Sequence, residues 1–196
     1  MDKRTLLIRK LSSCPGRNGT REMTGRSRGI KIREAVERTL RETKEPFLLV
    51  LDFGGSGPID FSWADETVAK LISRLWGGEY GEKFLLLRGL NGSQLENVGV
   101  ALERKRLAVL VTGPRGWRIV GSLNNYLART LNRIMKKRRL TLRELSEEEE
   151  IGMNTSGTRL LNLYKKRLVA RIDGVGAGKE EVHRGRQFVY QSLLAS

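Results

Sequence analysis

The sequence holds very few of the residues that build disulfide, zinc or thiol-based sites. Cys14 is the only cysteine and His183 the only histidine among 196 residues. One thiol forms no internal disulfide, and one cysteine with one histidine is too little for an ordinary zinc site or for Cys-His catalysis. We expect no catalytic residue, no metal and no cofactor, so an enzyme is not predicted.

Long apolar runs are also missing. The sequence has no run of about 18 apolar residues, which a membrane-spanning helix would need. The charged first residues lack the apolar core of a secretion signal. We therefore expect neither membrane insertion nor export, and together with the near absence of cysteine this favours a protein of the reducing cytoplasm.

Acidic residues are in the minority. Lysine and arginine total 37 against 22 aspartates and glutamates, and the formal net charge is +15. Residues 121–196 hold 15 basic and 8 acidic side chains, so positive charge is denser there than in residues 1–120, with 22 and 14. This charge favours polyanions such as DNA, with RNA or the ribosome as an alternative. The length suits two small cores, and we predict domains at 1–120 and 121–196.

A capped helix and a tight turn are predicted after residue 140. Thr141 and Glu144 have the spacing of a capping box, in which each side chain accepts a hydrogen bond from the other residue's backbone. A helix should therefore begin near Leu142 and continue through the acidic run Glu147–Glu150. It is expected to stop at Ile151–Met153, because Gly152 readily takes the left-handed conformation found at helix ends.

A second helix should follow almost at once, capped by Asn154 or Thr155. Apolar residues at helical spacing are predicted to face inward: Leu160, Leu161, Tyr164 and Leu168. Hydroxyl, amide and cationic side chains are predicted to face outward: Thr155, Ser156, Thr158, Arg159, Asn162, Lys165 and Lys166. Such groups bond phosphate oxygens and base edges in a major groove, so this face is a predicted DNA-binding surface.

Two short strands, Leu168–Ile172 and Gln187–Gln191, are predicted around a glycine-rich loop. The loop carries four basic candidates for DNA contact: Lys179, His183, Arg184 and Arg186. A basic hairpin tip of this kind suits the DNA backbone or the minor groove, where positive charge is favoured regardless of sequence.

With these elements in this order, residues from about Ser122 to Leu194 resemble the winged helix-turn-helix domains of bacterial transcription regulators. The run Leu145–Gly152, the cap at Asn154 and the closing Lys166–Arg171 carry the resemblance. It implies binding to duplex DNA, and a homodimer would double the readout of a palindromic site. The glutamate run would oppose DNA by repulsion unless its carboxylates point away. A winged helix used only to dock protein is the alternative.

The helix before this region is predicted to join the two domains rigidly, which would let events in the first domain alter the second. Its apolar stripe consists of Leu123, Tyr126, Leu127, Leu131 and Ile134. The cluster Lys136–Arg139 closes it, either as cations that favour a helix C-terminus or as contacts to DNA phosphates. We expect phosphate contact, because the cluster adjoins the predicted DNA-binding unit.

Strands alternate with helices in the first 120 residues. Predicted strands are Thr5–Arg9, Phe47–Phe53, Phe84–Arg88, Leu107–Val111 and Trp117–Val120. Predicted helices are Ile30–Thr43, one that opens at Ser62–Asp65, and Ser93–Glu103, and a loop is expected over Ser12–Gly29. The pattern predicts a mixed or mostly parallel sheet covered by helices, hence an α/β (α+β) fold.

Residues from about Gly25 to Val111 resemble the STAS-like domain of unknown function, a relative of bacterial anti-sigma factor antagonists. The matching motifs are Gly25–Gly29, Ile32–Glu34, Val50–Phe53 and Asp60–Asp65. The resemblance implies a sensing or partner-binding module, whose partner would be a kinase-like or sigma-related regulatory protein. It also places Ser62 at the serine that a partner kinase phosphorylates, although Phe61 stands where that family has a small residue.

Simpler interpretations are available for the same residues. Ser62 before an apolar helical repeat is typical of an N-cap, which stabilises by about 1 kcal/mol. Asp60 and Asp65 have no histidine, lysine or metal-ligand partner at a spacing typical of catalysis, and they are predicted to be solvated caps rather than an acid pair. The loop Gly54–Gly57 lacks the Gly-Lys-Ser/Thr ending of a phosphate loop.

The sequence thus predicts a cytoplasmic DNA-binding transcription regulator with a STAS-like module for a signal or partner. The first alternative is a protein-interaction regulator in the manner of anti-sigma factor antagonists, whose winged helix docks protein. The second is an RNA- or ribosome-associated factor.

Overall fold

The computed structural model describes residues 1–11, 23–173 and 188–195, and the chain divides into two compact units. The first is Met1–Leu123 and the second Asn124–Ser196, a division close to the boundary predicted after residue 120. The predicted α/β (α+β) class is confirmed, because one mixed sheet with helices and one small antiparallel sheet with helices are present.

The first unit is built on a five-stranded sheet with its strands in sequential order. The first four strands are parallel and the fifth is antiparallel to the fourth. The strands are β1 (Asp2–Leu7), β2 (Phe47–Asp52), β3 (Lys83–Arg88), β4 (Ala108–Gly113) and β5 (Gly116–Gly121). Val50 of β2 lies opposite Thr5 of β1 and Leu86 of β3. The apolar run at Phe47 therefore forms an interior, buried strand, as predicted.

Helices make the crossovers that parallel strands require. They are α1 (Ile8–Leu11), α2 (Arg26–Glu42), α3 (Phe61–Ala64), a π-helical turn (Asp65–Ala69), α4 (Lys70–Trp76) and α5 (Gly92–Arg104). Alternate strand residues such as Leu49, Leu51 and Leu87 share one core with Val36, Leu71 and other buried residues of these helices. One face of the sheet thus packs against the helical layer.

Two predicted segments of the first unit differ from the structure. The first strand ends at Leu7, where α1 begins, and not at Arg9. Helix α2 begins at Arg26, inside the predicted loop, of which residues 12–22 lie outside the described residues. Within the added part of the helix, Gly29 packs closely on α3 and the turn after it: a Cβ there would lie 3.0 Å from the Thr67 hydroxyl oxygen and 3.2 Å from the Trp63 carbonyl oxygen. A larger residue at this position would require neighbouring atoms to shift.

The interpretation of Ser62 as an N-cap is wrong. Helix α3 begins at Phe61, and Asp60 is its cap, with a carboxylate that accepts the Trp63 N–H at 2.8 Å. The same carboxylate accepts the Gly25 N–H at 3.0 and 3.1 Å, so it also holds the start of α2. Asp65 is not a solvated cap either, since it forms an ion pair with Lys105 of α5.

We expect Asp60→Ala to lower the free energy of unfolding by about 1–2 kcal/mol, because both helix starts lose an acceptor. Ser62→Ala should change it by less than about 0.5 kcal/mol, since that side chain caps neither helix. Denaturant unfolding of the two variants provides the comparison. Equal losses of stability in the two variants would show that Asp60 is not the principal cap of α3.

The second unit packs three helices against a three-stranded antiparallel sheet. Its elements are α6 (Asn125–Lys137), β6 (Arg139–Thr141), α7 (Leu142–Glu149), α8 (Met153–Lys165), β7 (Val169–Asp173) and β8 (Phe188–Ser192). The strand order is β6–β8–β7. Fully buried leucines and one isoleucine from all three helices form its core: Leu127, Leu131, Ile134, Leu145, Leu160 and Leu163. The predicted joining helix, α6, lies entirely within this unit.

The capping box is confirmed, and the helix has ended by Ile151 and Gly152 as predicted, whereas the predicted left-handed glycine and the next cap are wrong. Thr141 and Glu144 make both reciprocal hydrogen bonds at the start of α7. Glu150, at φ 51°, takes the left-handed position, while Gly152 has φ −59° and precedes α8. Because α8 already begins at Met153, neither Asn154 nor Thr155 caps it.

None of the helices described in residues 1–11, 23–173 and 188–195 has the length and apolar character needed to cross a membrane.

Candidate nucleic-acid interface

The outward side of α8 is a polar face bordered by a tyrosine of α6. Asn154, Thr155, Thr158 and Lys165 are exposed, and Asn162 is half-buried. A groove of about 390 Å³ runs along this face, lined by Tyr126, Asn154, Thr155, Thr158, Arg159 and Asn162. Five of the seven α8 residues predicted from sequence are therefore outward-facing: Thr155, Thr158, Arg159, Asn162 and Lys165.

Ser156 is not part of this face. Its residue is 0% exposed, and its hydroxyl has no hydrogen-bond partner within the described part of the chain. Ser156 shares a helix side with Leu160 and Leu163, which are fully buried. The buried side of α8 is thus Ser156, Leu160 and Leu163, and the predicted inward positions Leu161 and Tyr164 are only half-buried.

Lys166 also differs from an outward-facing cation. It follows α8 as the C-cap residue and is half-buried, and this burial lowers the pKa of its ammonium group. A desolvated ammonium is a poorer contact for a solvated phosphate than the exposed Lys165.

Arg159 is the most constrained side chain of the groove. Its Nη1 donates to Glu149 Oε2 at 2.6 Å, and its guanidinium carbon lies 5.4 Å from the centre of the Tyr126 ring. Only 19% of the side chain is exposed. A carboxylate and an aromatic ring from two other helices therefore hold this guanidinium in one place.

Two carboxylates of the acidic run Glu147–Glu150 are paired with cations. Glu149 accepts from Arg133 Nε at 2.8 Å as well as from Arg159, and Glu148 accepts from Arg133 Nη1 at 2.9 Å and from Lys137. The Lys137 ammonium, against a smaller effect of burial, lowers the pKa of Glu148. The repulsion expected from sequence is thus reduced at two of the four glutamates, because cations of α6 and α8 neutralise them.

A basic cluster marks the end of α6. Lys136, Lys137, Arg138 and Arg139 are all exposed. Lys137 pairs with Glu148, whereas no ion pair within the described ranges involves the other three. Arg129, Asn132 and Lys136 line a second groove of about 380 Å³ together with Arg133, Lys137 and Glu148. The second unit therefore carries a second exposed group of cations, at the end of α6.

The remaining predicted contacts, Lys179, His183, Arg184 and Arg186, lie outside the described residues. The strands on either side are well formed, and Arg171 of β7 stacks over Tyr164 and Phe188 at 4.6 and 4.1 Å from the ring centres. The hairpin strands are thus anchored to α8 by an arginine between two rings.

Sequence reasoning missed three participants. Tyr126 was assigned to an apolar stripe but is 42% exposed, Asn154 was assigned to a cap, and Glu149 was treated only as a source of repulsion. The sequence offered one indication that Tyr126 could be exposed: it lies in the first turn of α6, at the end of the apolar stripe. No local pattern pairs Glu149 with Arg159, because the contact depends on how α7 packs on α8.

In the first unit, Ser62 is half-buried in the first turn of α3. Its neighbour Phe61 packs under the guanidinium of Arg104, which lies 4.7 Å from the ring centre.

Comparison of the chain with protein-family models, with curated proteins and with solved structures found no match. The candidate interface therefore rests on its own geometry. That geometry is one exposed helix face of hydroxyls, amides and cations, with a separate group of exposed cations at the end of α6 in the same unit.

Proposed function

We propose that the protein is a cytoplasmic DNA-binding transcription regulator, in which the second unit is a winged helix-turn-helix domain that binds duplex DNA. The observation that carries the proposal is the outward face of α8, where hydroxyl, amide and cationic groups lie side by side along one groove. Base edges and phosphates are bound by these groups.

The arrangement of the second unit supports this proposal. Helices α7 and α8 are joined by the short segment 150–152, and α8 is followed by the β7–β8 hairpin. A major groove admits an α-helix, and α8 presents its polar side at the surface of the unit. The cluster at the end of α6 would contact phosphates next to that groove, which positions a protein without reading sequence.

For the first unit we propose a STAS-like module that senses a signal or a regulatory protein, with Ser62 as a candidate site of phosphorylation. A phosphate there would lie in the first turn of the helical segment that begins with α3, whose positive end favours negative charge.

The test is a triple variant, Thr155→Ala, Thr158→Ala and Asn162→Ala, with Ser156→Ala as a control on the same helix. The intact protein is mixed with duplexes that carry a randomised core at moderate salt, and retained DNA is sequenced. We expect a few enriched sites, an affinity loss of roughly thirtyfold or more in the triple variant, since three outward hydrogen-bonding groups are lost, and no change in Ser156→Ala.

Uniform or absent retention by the wild type would contradict the proposal and favour protein partners. Retention that survives in the triple variant would show that α8 is not the reading surface. If Ser156→Ala loses as much DNA affinity as the triple variant, the effect comes from altered packing of α8 and not from lost DNA contacts.

A further inference from the structure

Arg159 differs from an ordinary DNA-contacting cation in being held before any DNA arrives. Within the groove it is bonded to Glu149 and lies beside Tyr126, and its side chain is 19% exposed. Glu149 is itself fixed by a second hydrogen bond from Arg133 Nε at 2.8 Å. The guanidinium therefore has little rotational freedom left to lose on binding.

We propose that Arg159 reads a guanine in the major groove, an inference that rests on the proposed function of α8. A guanidinium has five N–H donors in a planar fork, and only Nη1 donates to Glu149. The remaining donors match the two acceptors, O6 and N7, that guanine alone presents side by side in that groove. Thr155, Thr158 and Asn162 line the same groove, so the base edge would lie among them.

The carboxylate partner favours a base contact over a phosphate contact. Phosphate attraction depends on net positive charge, and the Glu149 carboxylate beside Arg159, shared with Arg133, reduces the charge that Arg159 presents. Hydrogen bonding to a base edge depends on donor position, which the pair maintains. The exposed Lys165, for which no ion pair is present among the described residues, is the better phosphate contact on this helix.

Glu149 is then a positioning residue for Arg159. It lies at the end of α7 and joins Arg133 of α6 to Arg159 of α8 through two hydrogen bonds. Its effect on binding would act only through the direction of the guanidinium. Tyr126 limits the movement of the same guanidinium on another side.

The experiment replaces the guanines of the selected duplex, one at a time, by 7-deazaguanine, which lacks the N7 acceptor and still pairs with cytosine. Affinities are measured for the intact wild type, for Arg159→Met and for Lys165→Ala. For the wild type we expect one guanine at which the replacement weakens binding about tenfold. Arg159→Met should bind the normal and modified duplexes equally well.

Lys165→Ala is the matched control on the same helix. It should keep the full sensitivity to 7-deazaguanine while its overall affinity falls and the slope of log affinity against log salt shrinks by about 0.9. Thermal unfolding of each variant identifies losses that come from stability alone.

A wild type that binds a selected duplex yet tolerates 7-deazaguanine at every position would overturn guanine reading and leave the proposed function standing. Guanine reading by Arg159 would also be overturned if Arg159→Met remained as sensitive to 7-deazaguanine as the wild type. A wild type that selects no duplex would overturn both. The first of these outcomes uses the wild type alone, so it holds even if Arg159→Met does not fold.

Discussion

Replacing Glu66 with alanine is expected to lower the free energy of unfolding by about 3 kcal/mol, a large fraction of the stability of a small domain. Glu66 is 1% exposed and lies in the π-helical turn between α3 and α4. Its carboxylate pairs with Arg33 of α2, which is 8% exposed, and accepts from Lys70 at 2.6 and 2.8 Å. Removal of the carboxylate would leave buried positive charge with fewer partners.

The loss is held near 3 kcal/mol because the network has a second acid. Arg33 Nε lies 3.2 Å from Glu37, and Glu37 also accepts from Arg74 at 2.6 Å. Arg33 therefore keeps one buried partner when Glu66 is removed. Without Glu37 the cost would lie at the upper end of the range for a broken buried pair, about 5 kcal/mol.

Denaturant unfolding of the intact protein measures the effect, and Glu34→Ala is the matched control. Glu34 is an exposed acid on the same helix as Arg33, and its removal should change stability by less than about 0.5 kcal/mol. A loss below about 1 kcal/mol for Glu66→Ala would mean that the pair behaves as a surface salt bridge.

The pH dependence of stability gives a second readout of the same group. Burial alone would raise the pKa of Glu66, but hydrogen bonds from Lys70 and Arg33 outweigh it and hold the pKa below its ordinary value. A carboxyl with a lowered pKa stabilises the fold above the unfolded pKa of about 4.3, and this contribution is lost as the pH falls through the folded pKa. Stability should therefore fall less steeply in Glu66→Ala than in the wild type below about pH 4.3.

Removing three cations at the end of α6 is expected to weaken DNA binding by roughly a hundredfold near 0.1 M salt. The change is Lys136→Gln, Arg138→Gln and Arg139→Gln, three exposed residues without an ion pair in the described part of the molecule. Each phosphate contact contributes about 0.9 to the slope of log affinity against log salt. The slope should therefore decrease by about 2.7 while the preferred sequence stays the same.

A triple variant with the same loss of charge in the first unit is the control for this experiment. Lys31→Gln, Arg38→Gln and Lys44→Gln remove exposed cations of residues 31–44. Fluorescence anisotropy at several salt concentrations compares the two proteins on one duplex. Equal weakening would show that overall charge rather than a located contact drives association.

How far the sequence predicts the fold depends on how local the relevant interactions are. The capping box at Thr141 and Glu144 was predictable because both partners lie within one turn. The buried strand at Phe47 was predictable because a short apolar run bounded by Pro and Gly has few other conformations. The left-handed residue at Glu150 was not, because glycine is the usual choice and Gly152 stood two residues away.

The same distinction separates the parts of the candidate site. Helical spacing and polar composition identified α8 and placed most of its outward residues. Leu160 and Leu168 were correctly predicted to be buried, but Leu163 is buried where Leu161 and Tyr164 were predicted, because residues one apart on a helix differ by about 100° and only the packing partner selects between them. Ser156 is buried for this reason, together with Leu160 and Leu163.

The sequence by itself determined the class of fold, the order of the longer helices and strands, and the excess of positive charge. These follow from composition and from patterns that repeat within a few residues. Tertiary structure decided that the Asp60 carboxylate also holds Gly25 at the start of α2, that Glu66 lies buried against Arg33, and that Glu149 holds Arg159. Each of these contacts joins separate elements, so its energy depends on packing distance and burial, which no local pattern encodes.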